Sequence, residues 1–366
     1  MTFATSGLHA VAVTGANGFI GRRMVKLLAS EGVVRDIRNL TRRRFKQNNA
    51  LCVRLDDERQ LREALLGCQA VVHCAFDFHD LKINLEIARN LARICAETNT
   101  RLVHLSSWVV YGTPQDGELD ENAKADVGGD DYKDVKIAIE RSLLRSTREA
   151  GLDLVILQPT IVYGPFSSAW TDTPVRQLMT GIVVLPNGGQ GLCNAVYVDD
   201  VCQAAISALK GNPPKQKRFL ISGPHPVQWC DFFGAYQAIL GLQSLRLAPP
   251  EPRTNCTNRE GLSTERPHSF PTSLRSELIR IGKGLLGQHF DVQSRTRINM
   301  VLARLRQHIN GQVVHMPTGS TLALYTAKCR VSSALARSEI GYVPRFDLAE
   351  GMAATAPYLR QTYACR

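Results

Sequence analysis

Three glycines, Gly15, Gly18 and Gly21, stand between a short apolar run, Ala10-Val11-Ala12-Val13, and a helical pattern with Met24, Leu27 and Leu28 on one face. Few features restrict a fold more. A turn this tight between strand and helix needs residues without side chains, and the last glycine lets the helix pack on the strand. The helix start then presents free N–H groups and the positive end of its dipole to whatever lies in front of it. A strand, this turn and a helix, in that order, predict a site for the pyrophosphate of a dinucleotide, with Gly15, Asn17, Gly18, Phe19, Ile20 and Gly21 around it.

The rest of the first half repeats the alternation. Strands are expected over 10–13, 37–41, 50–55, 70–74, 101–106 and 154–158. Helical periodicity falls over 19–30, 58–66, 84–97 and 132–150, the last ended by Gly151 as a C-cap. The run Ala70-Val71-Val72-His73-Cys74 is continuously apolar, as a central parallel strand should be. This is an α/β chain, a Rossmann-type doubly wound parallel sheet with a smaller, mainly helical C-terminal substrate lobe. The expected division is a dinucleotide-binding domain over 1–165, joined by 192–222, and a lobe from 166–191 and 223–366. Within the lobe a strand is expected over 218–221, a polar loop over 249–271 and basic amphipathic helices over 273–309. Together these give an unusual basic insertion at about 250–327.

Composition narrows the setting. The 366 residues contain no apolar run long enough for a transmembrane helix, and residues 1–13 lack the basic start of a signal peptide, so a cytoplasmic enzyme is expected. Ten cysteines without a C-x-x-C pair or a His/Cys cluster read as reduced thiols and no metal site. The net charge of +11 attracts phosphates of any kind, but no nucleic-acid motif with interleaved aromatics accompanies it. The expected partner is a small anionic molecule, not nucleic acid or a membrane.

Where the second strand ends, an acidic residue would select a free ribose 2′-hydroxyl. The chain instead reads Thr41-Arg42-Arg43-Arg44, which suits a 2′-phosphate, so NADP is expected ahead of NAD, with Arg42 and then Arg43 as its ligands. Tyr132 and Lys136 lie four apart at a helix start and share one face. An ammonium beside a phenol favours the phenolate, which predicts proton exchange with a substrate hydroxyl near neutral pH. Ser106-Ser107 ends the fifth strand, at the sheet edge where open α/β sheets bind ligands.

With these residues in view, the chain resembles the extended short-chain dehydrogenase/reductases, the NAD-dependent epimerase/dehydratase family, over roughly 9–245 and 328–360. Besides the glycine turn and the Ser/Tyr/Lys set, Leu55-Asp56, the strand-four run ending at Ala75, Asn84, Gln158-Pro159-Thr160-Ile161-Val162-Tyr163-Gly164-Pro165, Val196 to Val201 and Val331 to Pro344 match its segments, with Gln158 in place of an arginine. The resemblance implies hydride transfer at C4 of the nicotinamide. It makes Tyr132 the acid/base, Ser107 rather than Ser106 the catalytic serine, and Leu55, Asp56, Ala75, Lys136 and Pro159 cofactor contacts. Trp108 and Val109 occupy the positions where the sugar-nucleotide dehydratases of the family carry acidic residues, which removes dehydration and leaves reduction, oxidation or epimerisation.

Three readings follow from the resemblance. The first is a nucleotide-sugar oxidoreductase or 4-epimerase, against which Thr160 and the insertion both count. The second is an NADPH-dependent ketoreductase of a non-nucleotide substrate, similar to the dihydroflavonol-reductase or 3β-hydroxysteroid branch. The third is a non-catalytic NADP-binding regulator. By analogy the chain would form a homodimer through the helices at 84–97 and 132–150, using Leu91, Ile94, Leu143 and Leu144. Its substrate pocket is expected near Phe76 to His79, Trp108, 166–170 and 184–193.

Overall fold

The computed structural model describes residues 8–42, 50–211, 217–249 and 313–363. Arg43, the expected basic helices over 273–309 and most of the insertion lie outside the described residues.

The chain opens with β1 (Leu8–Thr14), α1 (Phe19–Ser30), β2 (Val34–Thr41), β3 (Ala50–Cys52), α2 (Glu58–Leu65), β4 (Ala70–His73), α3 (Leu81–Glu97) and β5 (Arg101–Leu105). After a short β6 (Gly117–Leu119) come α4 (Asp131–Ala150), β7 (Leu154–Pro159), β8 (Ile161–Tyr163), α5 (Thr173–Thr180) and β9 (Gly181–Leu185). Then follow β10 (Leu192–Cys193), β11 (Ala195–Tyr197), α6 (Val198–Lys210), β12 (Lys217–Ile221), β13 (Val227–Gln228), α7 (Trp229–Leu240) and β14 (Leu245–Leu247). The last described elements are β15 (Val313–His315), α8 (Gly319–Thr326), β16 (Cys329–Val331), α9 (Ala334–Ile340) and α10 (Leu348–Tyr363).

Seven parallel strands form the main sheet in the order β12-β7-β5-β4-β1-β2-β3. The alternation of strand residues explains its two covered faces. Val11 and Val13 pack on one side with Met24 and Leu28 of α1 and with α6. Ala10 and Ala12 pack on the other with Leu61 of α2, Leu91 of α3 and Leu143 of α4. The chain winds outward from β1 through β2 to β3, then returns to place β4 on the opposite side of β1. That reversal opens a crevice at the carboxyl ends of β1 and β4, where doubly wound sheets hold ligands.

Several local signals behave as read. Gly151 ends α4 with φ +68°, a left-handed cap. The helix expected from 84 begins at Leu81, because Asp80 caps it by accepting from the backbone N–H of Lys82 and Ile83. The strand expected over 50–55 is only Ala50–Cys52, since the chain turns at Arg54 to Asp57 to start α2.

The C-terminal part is mainly helical, as expected, and carries short strands as well. A three-stranded parallel sheet, β14-β9-β15, brings 313–315 onto 181–185. Next to it, α8 is fixed by the Trp229 indole N–H, which donates to the Leu324 carbonyl (3.1 Å). The closing segment is held by Asp200, whose buried carboxylate accepts from the backbone N–H of Arg345 (2.8 Å) and Phe346 (3.1 Å).

Leu91, Ile94 and Leu143 are fully buried within the chain, against the sheet. Of the four residues named for a dimer face, these three belong to the chain's own core, while Leu144 is half-buried at its margin.

Candidate active site

At the end of β1 the chain reverses through Gly15, whose φ of +63° favours glycine. A Cβ there would sit 2.9 Å from the backbone N and Cα of Ala75. The Gly18 N–H donates to the Gly15 carbonyl (2.8 Å), and a Cβ on Gly21 would lie 2.1 Å from that same oxygen. Thr14 joins this turn to β4: its hydroxyl accepts from the Ala75 N–H (3.2 Å) and meets His73 Nδ1 at 2.7 Å. The hydroxyl has one proton and two lone pairs, so either atom can donate in the Thr14–His73 pair, according to the tautomer of the ring. Burial keeps that ring neutral, pushing the His73 pKa down to about 3.

Helix α1 starts at Gly18 with no side-chain cap and no acidic residue in its first turn. Its N–H groups are thus directed at the crevice with no side-chain acceptor. Beside them, Asn17 Nδ2 is buried and takes no partner within the described protein. This is what a dinucleotide's pyrophosphate requires: a concave backbone surface that a side chain would fill, amide donors and an unspent polar group. The residues fit the cofactor.

One cavity of about 990 Å³ runs across the carboxyl ends of the strands. It gathers every expected site residue that is described: Gly15, Asn17, Gly18, Phe19, Ile20 and Gly21 from the turn, and Arg42, Leu55, Asp56 and Ala75 from the ends of β2 to β4. Ser107, Tyr132, Lys136 and Pro159 line its other end. Asp56 is ion-paired with Arg54 (2.6 Å), and Arg42 is ion-paired with Asp77, a residue the sequence reading grouped only with the pocket wall.

Tyr132 sits in the first turn of α4 because Asp130 caps that helix, accepting from the Lys133 N–H (2.8 Å). Its hydroxyl is near enough to that of Ser107 for the serine to lower its pKa, and the Ser107 hydroxyl also accepts from the Val109 N–H (3.3 Å). One turn on, Lys136 Nζ donates to the Leu105 carbonyl (3.0 Å) and lies 4.4 Å over the ring of Phe76. Phe76 meets Tyr132 edge-on at 5.1 Å, and Phe78 stacks on it at 5.7 Å.

The ammonium's expected pull toward the phenolate is outweighed by burial. Burial pushes the Tyr132 pKa up to about 12, the Ser107 hydrogen bond only partly opposing it. Burial also pulls Lys136 down to about 8, against Glu140 and Cys74, which raise it. Lys136 Nζ is directed at a carbonyl and an aromatic face, and it lies 5.8 Å from the Tyr132 ring. At neutral pH Tyr132 is therefore a protonated donor.

Beneath this pair lies a polar network that motif reading did not anticipate. Glu140, one turn beyond Lys136, is buried and accepts from Gln158 Nε2 (2.8 Å) and Arg218 Nε (2.7 Å), while the Tyr111 hydroxyl donates to Gln158 Oε1 (2.8 Å). The guanidinium that Gln158 lacks is supplied by Arg218 on β12. Ser106 Oγ, buried in the cavity lining, has no partner among the described residues. Trp108, expected at the pocket, is instead packed in the core.

Comparison with known proteins agrees with this architecture. Residues 11–222 match the NAD dependent epimerase/dehydratase family. A dihydroflavonol 4-reductase of Solanum lycopersicum is 29% identical over 252 residues, covering 59% of this chain and 65% of its own length. A UDP-glucose 4-epimerase of Vibrio cholerae is 25% identical over 245 residues, covering 59% and 71%. Among solved structures, a dTDP-glucose 4,6-dehydratase of Streptomyces venezuelae with NAD bound superposes with a TM-score of 0.65 at 18% identity, covering 96% of this chain and 97% of its own. That likeness concerns the fold, while the matched segment spans the turn, the Ser/Tyr/Lys set and the seventh strand. The chain belongs to the NAD dependent epimerase/dehydratase family, the extended short-chain dehydrogenase/reductases.

Proposed function

We propose that the protein is an NADPH-dependent ketoreductase that interconverts a ketone and a secondary alcohol, with Tyr132 as proton donor and acceptor. One observation carries this reading: the glycine turn, Ser107 and Tyr132 line one cavity, with Tyr132 held as the neutral phenol. The nicotinamide, when bound, supplies the hydride. Gly15, Asn17, Gly18 and the start of α1 would hold its pyrophosphate, and Arg42 its 2′-phosphate.

The chain's own residues account for the proton. Ser107 hydrogen-bonds the substrate oxygen, and Tyr132 gives that oxygen its proton as it becomes an alkoxide. The Lys136 ammonium then stabilises the phenolate left behind. Phe76 and Phe78 pack against the Tyr132 ring and put apolar surface beside the phenol. A ketone flanked by apolar groups suits this end of the cavity.

The nucleotide-sugar reading keeps one specific support, the fold shared with nucleotide-sugar enzymes along 96% of the chain. Product analysis separates the two. A ketoreductase consumes NADPH in proportion to alcohol formed, whereas an epimerase inverts a UDP-sugar hydroxyl with no net change in cofactor. Epimer formation without cofactor turnover would replace the ketoreductase reading.

Two predictions arise here. Arg42→Gln is expected to lower kcat/KM for NADPH about tenfold or more, roughly 1.4 kcal/mol or above, and to leave NADH within a factor of two. Steady-state kinetics with both cofactors checks it. The second concerns pH. Lys136 loses its proton as pH rises through about 8, and with it the charge that stabilises the phenolate. The kcat/KM for ketone reduction should therefore fall on the alkaline side of that value. In Lys136→Met the profile should be lower and without that limb; a limb that survives unchanged belongs to another group.

A further inference from the structure

The ion pair between Arg42 and Asp77 joins two strand ends that are not neighbours. Arg42 follows β2 and Asp77 follows β4, and these strands flank β1 on opposite sides, two interstrand spacings or about 10 Å apart. The pair therefore crosses the groove above the end of β1, within the cavity that carries the glycine turn.

Its two members are not equally free. Asp77 is the fixed one. Its carboxylate accepts from the backbone N–H of His79 (2.8 Å) and Asp80 (3.1 Å). Its own backbone is clamped by Asn84, which accepts from the Asp77 N–H (2.8 Å) and donates to its carbonyl (2.8 Å). Its side chain is 13% exposed, against 69% for Arg42. Arg42 is thus the movable member, able to turn from a fixed carboxylate to another anion.

We propose that Asp77 is a specificity-determining residue that acts through Arg42, competing with the 2′-phosphate of the cofactor for the guanidinium. The proposal rests on the NADPH reading above. A 2′-phosphate must take Arg42 from the carboxylate and then sit in the field of that carboxylate. A cofactor with a free 2′-hydroxyl leaves the pair intact. Asp77 thereby lowers NADPH affinity selectively, narrows the margin over NADH, and recaptures Arg42 as the oxidised cofactor leaves.

The test is the dissociation constant of NADPH and of NADH, from quenching of protein fluorescence, in the wild type, Asp77→Asn, Arg42→Gln and the double variant. Asparagine keeps an oxygen that can accept from His79 and Asp80, so the turn should survive, and a thermal melt checks this. Asp77→Ser, which also retains an acceptor, is the second variant if the first does not fold. Asp77→Asn is expected to tighten NADPH binding about three- to tenfold and to leave NADH within twofold, an effect that disappears when Arg42 is already glutamine. Equal change for both cofactors, no change, or tightening that persists without Arg42 overturns the proposal. If Arg42→Gln weakens NADPH while Asp77→Asn does nothing selective, only the role of Asp77 falls. If Arg42→Gln leaves NADPH unaffected, the NADPH assignment falls, and the competition with it.

Discussion

Tyr132→Phe is expected to lower kcat for ketone reduction by about 10²–10⁴-fold, equivalent to roughly 3–5 kcal/mol of transition-state stabilisation. The substitution isolates the hydroxyl. Phenylalanine retains the ring that Phe76 meets edge-on and Phe78 covers, so packing at the start of α4 is preserved. What disappears is the proton that the carbonyl oxygen must receive and the influence of Ser107 on that hydroxyl. The dissociation constant of NADPH and the melting temperature should stay close to wild type, because neither the glycine turn nor Arg42 is touched. Single-turnover kinetics with saturating NADPH would measure the chemical step directly. A Tyr132→Phe enzyme that retains a third or more of wild-type kcat would remove Tyr132 from the chemistry and with it the reductase mechanism.

That prediction could be framed from the sequence, but its electrostatic basis could not. Tyr132 and Lys136 are four apart on one helical face, which spacing alone reveals. How strongly the ammonium acts on the resting phenol depends on where Nζ turns: it donates to the Leu105 carbonyl and lies over Phe76, 5.8 Å from the Tyr132 ring. Burial of the phenol then dominates, and the proton exchange read from the spacing starts from the neutral phenol. The main sheet was legible because its central strands β1, β4, β5 and β7 are local apolar runs with helices between them, although β2 is largely polar. The small sheet β14-β9-β15 was not, because the partner that pairs with 181–185 lies at 313–315, beyond the reach of local periodicity. Distance in sequence also hid the replacement of the missing arginine at Gln158. The guanidinium arrives from Arg218, on a strand that joins the sheet beside β7 only in three dimensions. Asp77 shows the same limit. Its neighbours Phe76 and Phe78 mark a pocket wall, yet nothing local indicates that its carboxylate meets Arg42 across β1.

The glycine turn makes the other prediction of large effect, and its strength lies in a comparison within the molecule. Gly21 and Gly234 both lie inside helices, α1 and α7. At an ordinary helical glycine, alanine stabilises by about 0.5–1 kcal/mol, because it restricts the unfolded chain and favours the helix. Gly234 is such a position: a Cβ there meets nothing within 4 Å. At Gly21 the same methyl group would lie 2.1 Å from the Gly15 oxygen and 2.8 Å from the Gly15 carbonyl carbon. These are backbone atoms, and Gly15 cannot retreat, because it is itself packed against the backbone of Ala75. Relief requires α1 to move away from β1, which opens the turn and shifts the N–H groups at the helix start. Gly21→Ala is therefore expected to lower the melting temperature by several degrees, at an overpacking cost of about 1–3 kcal/mol. It should also weaken NADPH binding at least about tenfold, while Gly234→Ala raises the melting temperature slightly and leaves binding unchanged. Thermal melts and fluorescence titrations on both variants check this together. A Gly21→Ala protein that melts with the wild type and binds NADPH as tightly would mean that the close approach of helix and strand at Gly21 is not what shapes the dinucleotide site.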